Sequence, residues 1–152
     1  YQEDVVSLIQ TNIDDMNPEL YEHIVDRLFH EGALDVFLTP IQMKRTRPAT
    51  MLSVIAGQEK MEKMLEIIFD ETTTLGIRIS KIKRRKLNRE NRKVSTKYGK
   101  IEVKFGKHDG VVKNVSPSYE ECRKIATHLK IPLKKVYQEA KRAAFDLLGK
   151  RT

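Results

Sequence analysis

With 152 residues the chain can hold one domain with a substantial core, or a domain and a smaller appendage. One third of the residues are charged and the formal net charge is +8, which suits polyanionic partners such as nucleotides, nucleic acid or an acidic protein face, although many basic proteins have no such partner. The single cysteine, Cys122, excludes an intrachain disulfide, no apolar run approaches the roughly 18 residues of a membrane span, and no signal peptide is visible, so a cytoplasmic protein with no membrane partner is expected.

The chain opens on Tyr1 directly into a strand-like run, as a piece of something longer would. Val5 to Ile13 is rich in β-branched residues and too short for a helix, which predicts a first strand ended by Asp14-Asp15. Asn17-Pro18-Glu19 is a helix start, and Leu20, Ile24 and Leu28 with Tyr21, Val25 and Phe29 form the apolar stripe of a helix that Gly32 stops. Leu34 to Thr39 is a second strand, and Pro40 near its end implies an edge strand or a bulge. A basic hairpin over Gln42 to Thr50 carries Lys44, Arg45 and Arg47, and Met51 to Ala56 is a third strand. Met61, Met64, Leu65, Ile68 and Phe69 stripe a second helix, which ends at Thr72-Thr73-Thr74-Leu75-Gly76 ahead of a fourth strand from Ile77 to Lys83.

Strand, helix, strand, strand, helix, strand is the ferredoxin-like (βαββαβ) order: an α+β fold with an antiparallel sheet and two helices on one face. The Lys- and Arg-rich run from Lys83 to Lys93 reads as a linker or solvated edge. Val94 to Tyr98, Ile101 to Phe105 and Val111 to Val115 follow as a small three-stranded meander, with turns at Gly99 and at His108-Asp109-Gly110. Ser118 with Glu121 has capping-box spacing for a helix, and Pro132 opens a last helix striped by Val136, Tyr137, Ala140, Ala144 and Leu147. The expected division is a ferredoxin-like domain over 1–86 and a meander with two C-terminal helices over 87–152.

In an antiparallel sheet of this connectivity, three loops fall at one end. They are the turn after the first strand, the basic hairpin, and the loop after the second helix. That end would gather Asp14 and Asp15, the cations Lys44, Arg45 and Arg47, the hydroxyls of Thr72, Thr73 and Thr74, and Arg78. Carboxylates for a hard cation, hydroxyls, and Lys or Arg for phosphate oxygens are the components of a metal–triphosphate site. Each also has a bland reading: a solvated hairpin tip that discourages strand aggregation, acids favouring a helix dipole, threonines at a helix terminus, a solvated arginine. There is no GxxxxGK[ST] or GxGxxG stretch and no arrangement suggesting a catalytic triad. The four histidines are scattered, and Cys122 reads as buried packing. No catalytic residue is assigned.

Several long motifs then stand together. Thr11-Asn12-Ile13-Asp14-Asp15-Met16-Asn17-Pro18-Glu19, Gly32-Ala33-Leu34-Asp35-Val36, Thr39-Pro40-Ile41-Gln42-Met43-Lys44 and Glu71-Thr72-Thr73-Thr74-Leu75-Gly76-Ile77-Arg78 resemble the C-terminal domain of the LarC family. So does Val112-Lys113-Asn114-Val115-Ser116-Pro117 with Tyr119-Glu120-Glu121-Cys122. The resemblance implies a part of an enzyme, a nickel chelatase or cyclometallase, that inserts nickel into the pyridinium-3,5-bisthiocarboxylic acid mononucleotide to make the nickel-pincer cofactor of lactate racemase. It further implies CTP consumed with Mn2+ or Mg2+, CTP held by this domain, nickel as substrate of the full-length protein, a partnering N-terminal nickel-binding domain that is missing here, and a homo-oligomer. With CTP as the ligand, the meeting of the three loops makes Lys44, Arg47, Thr72, Thr73, Thr74 and Arg78 the expected nucleotide contacts and Asp14 and Asp15 the expected metal contacts, and with no Cys/His cluster no nickel insertion by this stretch alone is expected. The family hairpin usually has glycines where this chain has Thr46 and Ala49, so side chains there restrict a phosphate's approach to the backbone and leave Lys44 and Arg47 as the contacts. Ser118 stands where the family commonly has Glu, a change compatible with helix capping. The alternatives are a basic ferredoxin-like RNA-binding module, or an oligomerisation module without chemistry of its own. RNA-binding sheets stack bases on aromatics in the central strands, and the first and third strands carry none, so nucleic acid is not the expected partner.

Overall fold

In the computed structural model, which describes residues 1–149, the N-terminal β-branched run forms β1 (Gln2–Ile13). It is followed by α1 (Leu20–His30), β2 (Asp35–Gln42), β3 (Pro48–Ala56), α2 (Met61–Glu71) and β4 (Arg78–Lys86). These strands make a four-stranded sheet in the order β2-β3-β1-β4, the ferredoxin-like order expected from the sequence. β1 pairs antiparallel with β3 from Ser7↔Ala56 to Ile13↔Thr50, and β2 pairs antiparallel with β3 from Asp35↔Ile55 to Gln42↔Pro48. Pro40 lies on β2, an edge strand, where its missing N–H faces no neighbour.

Successive residues of a strand point to opposite faces, so Ile9, Val54, Leu52, Ala56 and Val36 line one face of the sheet. They form a single core with Ile24 and Leu28 of α1 and Met64, Ile67 and Ile68 of α2, which places both helices on that face. The apolar stripes are narrower than their sequence suggests. Leu20 and Phe29 of α1 and Phe69 of α2 are about half exposed, while Ile67, outside the expected stripe, is fully buried. Gly32 stops α1 at a φ of 104°, a left-handed conformation that a side chain would resist.

The second part of the chain forms β5 (Asn88–Thr96), β6 (Gly99–His108), β7 (Val111–Pro117), α3 (Tyr119–Leu129) and α4 (Leu133–Gly149). The three strands pair antiparallel in chain order. Positive φ at Asp109 and Gly110 makes the tight hairpin turn that joins β6 to β7. Ile101, Val103 and Phe105 of β6 share one face, and α3 and α4 bury it with Cys122, Ala126, Val136, Ala140 and Ala144. Ser118 caps α3 by accepting the Glu121 amide, but the Glu121 carboxylate does not close the box. It accepts the Glu102 amide of β6 at 2.6 Å and so ties the helix start to the sheet. The described residues divide into two units, Glu3–Arg85 and Tyr1–Gln2 with Lys86 onward. Residues 150–152 of the expected second domain lie outside the described residues.

Of the two readings of the basic run, the solvated edge is the one the structure takes: Lys83 to Lys93 is the end of β4 and most of β5, each an edge strand of its sheet, with Asn88 to Lys93 in ladder with Lys107 to Glu102. Its charge is accommodated strand by strand. Arg84 donates two hydrogen bonds to Asp4 (3.0 and 2.8 Å), Arg85 pairs with Glu3, and Glu90 is held by both Arg92 and Lys107. Those two cations pull the Glu90 carboxyl down to about 2.

Ser7 is fully buried on the helix-covered face of β1, and its hydroxyl has no hydrogen-bond partner. An unsatisfied buried hydroxyl costs its lost hydration without return, so Ser7→Ala should stabilise the fold by about 1 kcal/mol. Urea unfolding measures this directly, and a lower midpoint in the variant would contradict it.

Candidate functional site

β1 ends, the β2–β3 hairpin turns and the α2–β4 loop passes at the same end of the sheet, and side chains from all three meet there. Arg47 Nη1 donates to Asp14 Oδ2 at 3.3 Å, Thr73 Oγ1 donates to Asp15 Oδ1 at 2.6 Å, and Arg78 Nη2 donates to Asn12 Oδ1 at 2.8 Å. Ile13↔Thr50 pairing sets the Asp14-Asp15 turn against the foot of the hairpin, which is why Arg47 can reach it. Asn17 Oδ1 accepts the Glu19 amide at 3.1 Å and shapes the turn into α1.

The hairpin is tighter than the sequence suggests, because the strands zip up to Gln42↔Pro48. Met43 to Arg47 closes it around a 3-10 turn over Lys44–Thr46, with the Met43 amide bonded to the Arg47 carbonyl at 2.9 Å. Arg45 and Thr46 both adopt left-handed backbone, at φ 59° and 58°. Thr46 is thus one of the two positions where glycine is expected, and the backbone there has the conformation glycine tolerates best. Ala49 lies within β3. Lys44, Arg45 and Arg47 are exposed, and the Lys44 ammonium has no ion-pair partner among the described residues.

The threonine loop divides its labour. Thr72 Oγ1 donates to the Ile68 carbonyl at 2.7 Å and finishes α2, and Thr74 Oγ1 bonds within the loop and to Thr11, while Thr73 is exposed and turned to Asp15. Asp14 is the more buried carboxylate, its side chain 16% exposed against 50% for Arg47. Among these residues Lys44, Arg45, Arg47 and Arg78 outnumber the carboxylates of Asp14 and Asp15, so the end carries excess positive charge.

Thus Asp14, Asp15, Arg47, Thr73 and Arg78 come together, Lys44 stands at the exposed rim, and Thr72 and Thr74 lie behind the loop surface. Arg84 and Arg85 are held by Asp4 and Glu3 at the far end of β1, eight or more residues and roughly 25 Å away along the strand. Four further residues belong to this end. Asn12 holds Arg78, Thr11 holds the threonine loop, and the Tyr21 hydroxyl lies beside Thr50 and Asp15. Burial pushes the Tyr21 phenol up, and the Asp15 charge adds to it against a hydrogen bond with Thr50. Tyr21 sits in the apolar stripe of α1, where its one polar atom is the only sequence signal of this second role.

The donor set suits phosphate oxygens: two guanidinium groups and a hydroxyl lie at one end of the sheet, with the exposed Lys44 on the adjoining hairpin. No group of three His, Cys, Asp or Glu side chains among the described residues is placed to hold a metal ion by itself. Asp14 and Asp15 can give a divalent ion at most a few oxygens, so a hard ion such as Mg2+ or Mn2+ fits here with phosphates completing its shell.

Fold and site together define a class: a ferredoxin-like α+β domain with a cationic, hydroxyl-bearing end suited to an anion. The chain belongs to the nickel insertion protein family, whose model matches residues 1–137. It is 48% identical over 141 residues to the pyridinium-3,5-bisthiocarboxylic acid mononucleotide nickel insertion protein of Acetivibrio thermocellus, an alignment covering 93% of this chain and 34% of that protein. The protein of the same name from Thermotoga petrophila is 44% identical over 142 residues, covering 93% of this chain and 36% of that one. The chain therefore spans about a third of the length of these curated relatives. A solved structure of LarC2, the C-terminal domain of a cyclometallase involved in the synthesis of the NPN cofactor of lactate racemase, superposes with a TM-score of 0.89 at 36% identity, covering 94% of this chain and 99% of that one. A Methanopyrus kandleri protein shares the fold, with a TM-score of 0.61 at 21% identity over 93% of this chain and 90% of that one.

A β-branched residue held in left-handed backbone costs about 1–2 kcal/mol. Thr46→Gly should therefore stabilise the domain by about 1 kcal/mol, after allowing for glycine's greater freedom in the unfolded chain. Chemical denaturation of the two proteins checks this, and a loss of stability would mean that the Thr46 hydroxyl, which donates to the Arg45 carbonyl at 2.7 Å, outweighs the strain.

Proposed function

We propose that this chain is the nucleotide-holding portion of a nickel-insertion enzyme, binding CTP with Mn2+ or Mg2+ while a longer protein inserts nickel into the pyridinium bisthiocarboxylate mononucleotide. Nickel is substrate here, and a cytoplasmic homo-oligomer completes the reading. The observation that carries it is the convergence of Arg47, Arg78, Thr73 and the Asp14-Asp15 turn at one end of the sheet, with Lys44 at its rim. Family membership and the likeness to the cyclometallase C-terminal domain support the same assignment.

Lys44, Arg47 and Arg78 then bind and orient the phosphates, Thr73 adds a hydroxyl donor, and Asp14 or Asp15 faces the divalent ion. Bound CTP supplies activated phosphate for the full-length protein. The residues of this chain hold the nucleotide by its charged end. In the free domain Arg47 is already paired with Asp14 and Thr73 with Asp15. Ligand and ion must exchange with these internal partners, which couples their binding: an ion at Asp14 releases Arg47 for phosphate, and phosphate at Arg47 releases Asp14 for the ion. RNA binding is disfavoured by the sheet, whose four strands carry Phe37 as their one aromatic residue, on the edge strand β2.

Calorimetric titration with CTP and ATP, with and without manganese, tests the assignment. CTP binding that strengthens with manganese is expected. RNA binding with a steep salt dependence and no nucleotide binding would overturn it. Arg47→Ala should cost about 1.5–3 kcal/mol, or roughly one to two powers of ten in CTP affinity, with little change in the melting temperature of the free domain. Asp14→Asn should weaken CTP only when the ion is present. Without the ion, the variant should bind CTP at least as well as the unaltered chain, because Arg47 is no longer held. Arg84→Ala serves as the control, since Asp4 holds that guanidinium far from the hairpin. Equal losses in Arg84→Ala and Arg47→Ala, measured on a monomer, would refute a site at this end.

A further inference from the structure

Three polar side chains of the first sheet are fully buried: Ser7, Thr11 and Ser53. Ser53 accepts from Gln10 at 3.1 Å within the sheet and Ser7 has no partner, whereas Thr11 reaches out of its strand to the threonine loop. Its hydroxyl contacts Thr74 Oγ1 and lies 2.9 Å from the Gly76 carbonyl, which Thr74 Oγ1 also approaches to 3.1 Å. Two hydroxyl protons serve this triangle, so one goes to the Gly76 carbonyl and the other to the neighbouring hydroxyl. Thr74 Oγ1 also accepts the Gly76 amide at 3.4 Å, and Thr72 Oγ1 accepts the Thr74 amide at 3.2 Å while giving its proton to Ile68.

The count leaves Thr72 and Thr74 with no hydroxyl proton for a ligand. What the loop presents is the Thr73 hydroxyl and the amides of Thr73 and Leu75, which make no hydrogen bond among the described residues. Their direction depends on Thr74 and Gly76, and those are fixed to the sheet by Thr11. We infer that Thr11 is the positioning residue of this end: its buried hydroxyl anchors the threonine loop to β1, one residue from Asn12, which holds Arg78. β1 thereby sets the loop donors and an arginine in fixed relation to each other. The role of Thr11 in ligand binding rests on the proposal that this end seats the phosphates of a nucleotide.

Thr11→Val keeps the shape and the β-branch but removes both hydrogen bonds, and Thr11→Ser keeps the hydroxyl. Calorimetry with CTP and manganese on this chain should show Thr11→Val weakened about five- to tenfold, close to Thr73→Ala, and Thr11→Ser within about twofold of the unaltered chain. Hydrogen exchange of the Thr74 and Gly76 amides, read without ligand, should speed up in Thr11→Val and not in Thr11→Ser. Should Thr11→Val not fold, Thr74→Val breaks the contact with Thr11 from the loop side and should show the same loss of CTP affinity, with exchange read at the Thr74 amide, whose acceptor Thr72 it leaves in place. Unchanged CTP affinity with unchanged exchange in Thr11→Val would overturn the inference, as would equal loss of affinity in the Val and Ser variants. If the unaltered chain binds no CTP, the nucleotide reading fails and the anchoring role is judged on exchange alone: faster exchange in Thr11→Val sustains it, unchanged exchange overturns it.

Discussion

Antiparallel pairing of β1 with β3, in the register that sets Ile13 opposite Thr50, brings the Asp14-Asp15 turn beside the foot of the basic hairpin. Because side chains alternate along a strand, the same register sends Ile9 and Thr11 to the helix-covered face and Gln10 and Asn12 to the other. A slip of one residue would expose Ile9 and Ile13, bury Asn12, and detach Arg78 and the threonine loop together. The core and the candidate site are therefore specified by one pairing. Burial of Ile9 in one core with Val54, Ile24 and Ile68 fixes the register that keeps Asp14 within reach of Arg47.

Much of this was legible in the sequence. The strand and helix order, the sheet's antiparallel sense and the meeting of three loops follow from hydrophobic periodicity and connectivity. With them, Asp14, Asp15, Lys44, Arg45, Arg47, Thr72, Thr73, Thr74 and Arg78 all fall at one end from the sequence alone, although the hydroxyls of Thr72 and Thr74 turn out to be engaged with Ile68 and Thr11. Two kinds of feature were not legible. The run from Lys83 to Lys93 has a composition that fits a linker as well as a solvated edge, and what makes it edge strand lies far off in sequence: Asp4 for Arg84, Glu3 for Arg85, Lys107 beside Glu90. Local composition cannot report a charge neutralised from another strand. The second kind is dual use. Tyr21 and Thr11 follow the pattern of core positions, and their polar atoms meet partners that only the fold brings near: Thr50 of β3 for Tyr21, and Thr74, 63 residues on in sequence, for Thr11.

The contact between Arg47 and Asp14 at the candidate site is of a kind that exchanges easily. Arg47 is half exposed and its bond to Asp14 is 3.3 Å, longer than a strong charge-assisted pair. Pairs of this sort contribute at most about 1 kcal/mol, so giving one up costs the fold little. Arg84 differs: it makes a two-pronged bond to Asp4, and both side chains are only about one-quarter to one-third exposed. These two arginines are thus held by different geometry, Arg84 by a forked clasp on the edge strand β4 and Arg47 by a single long contact where a ligand would have to intervene.

The same distinction bears on how a divalent ion could be held. A resident metal needs several ligands at fixed positions, and two adjacent carboxylates on a turn, each already bonded to a neighbouring side chain, do not provide them. An ion that brings phosphate oxygens with it needs only one or two protein ligands and tolerates their being shared. Excess positive charge from Lys44, Arg45, Arg47 and Arg78 repels a bare cation and attracts an anionic complex of that cation. Sparse carboxylates set in a basic rim would therefore favour a metal–phosphate complex over the free ion, with the arginines that pair the carboxylates being the groups a phosphate would draw away.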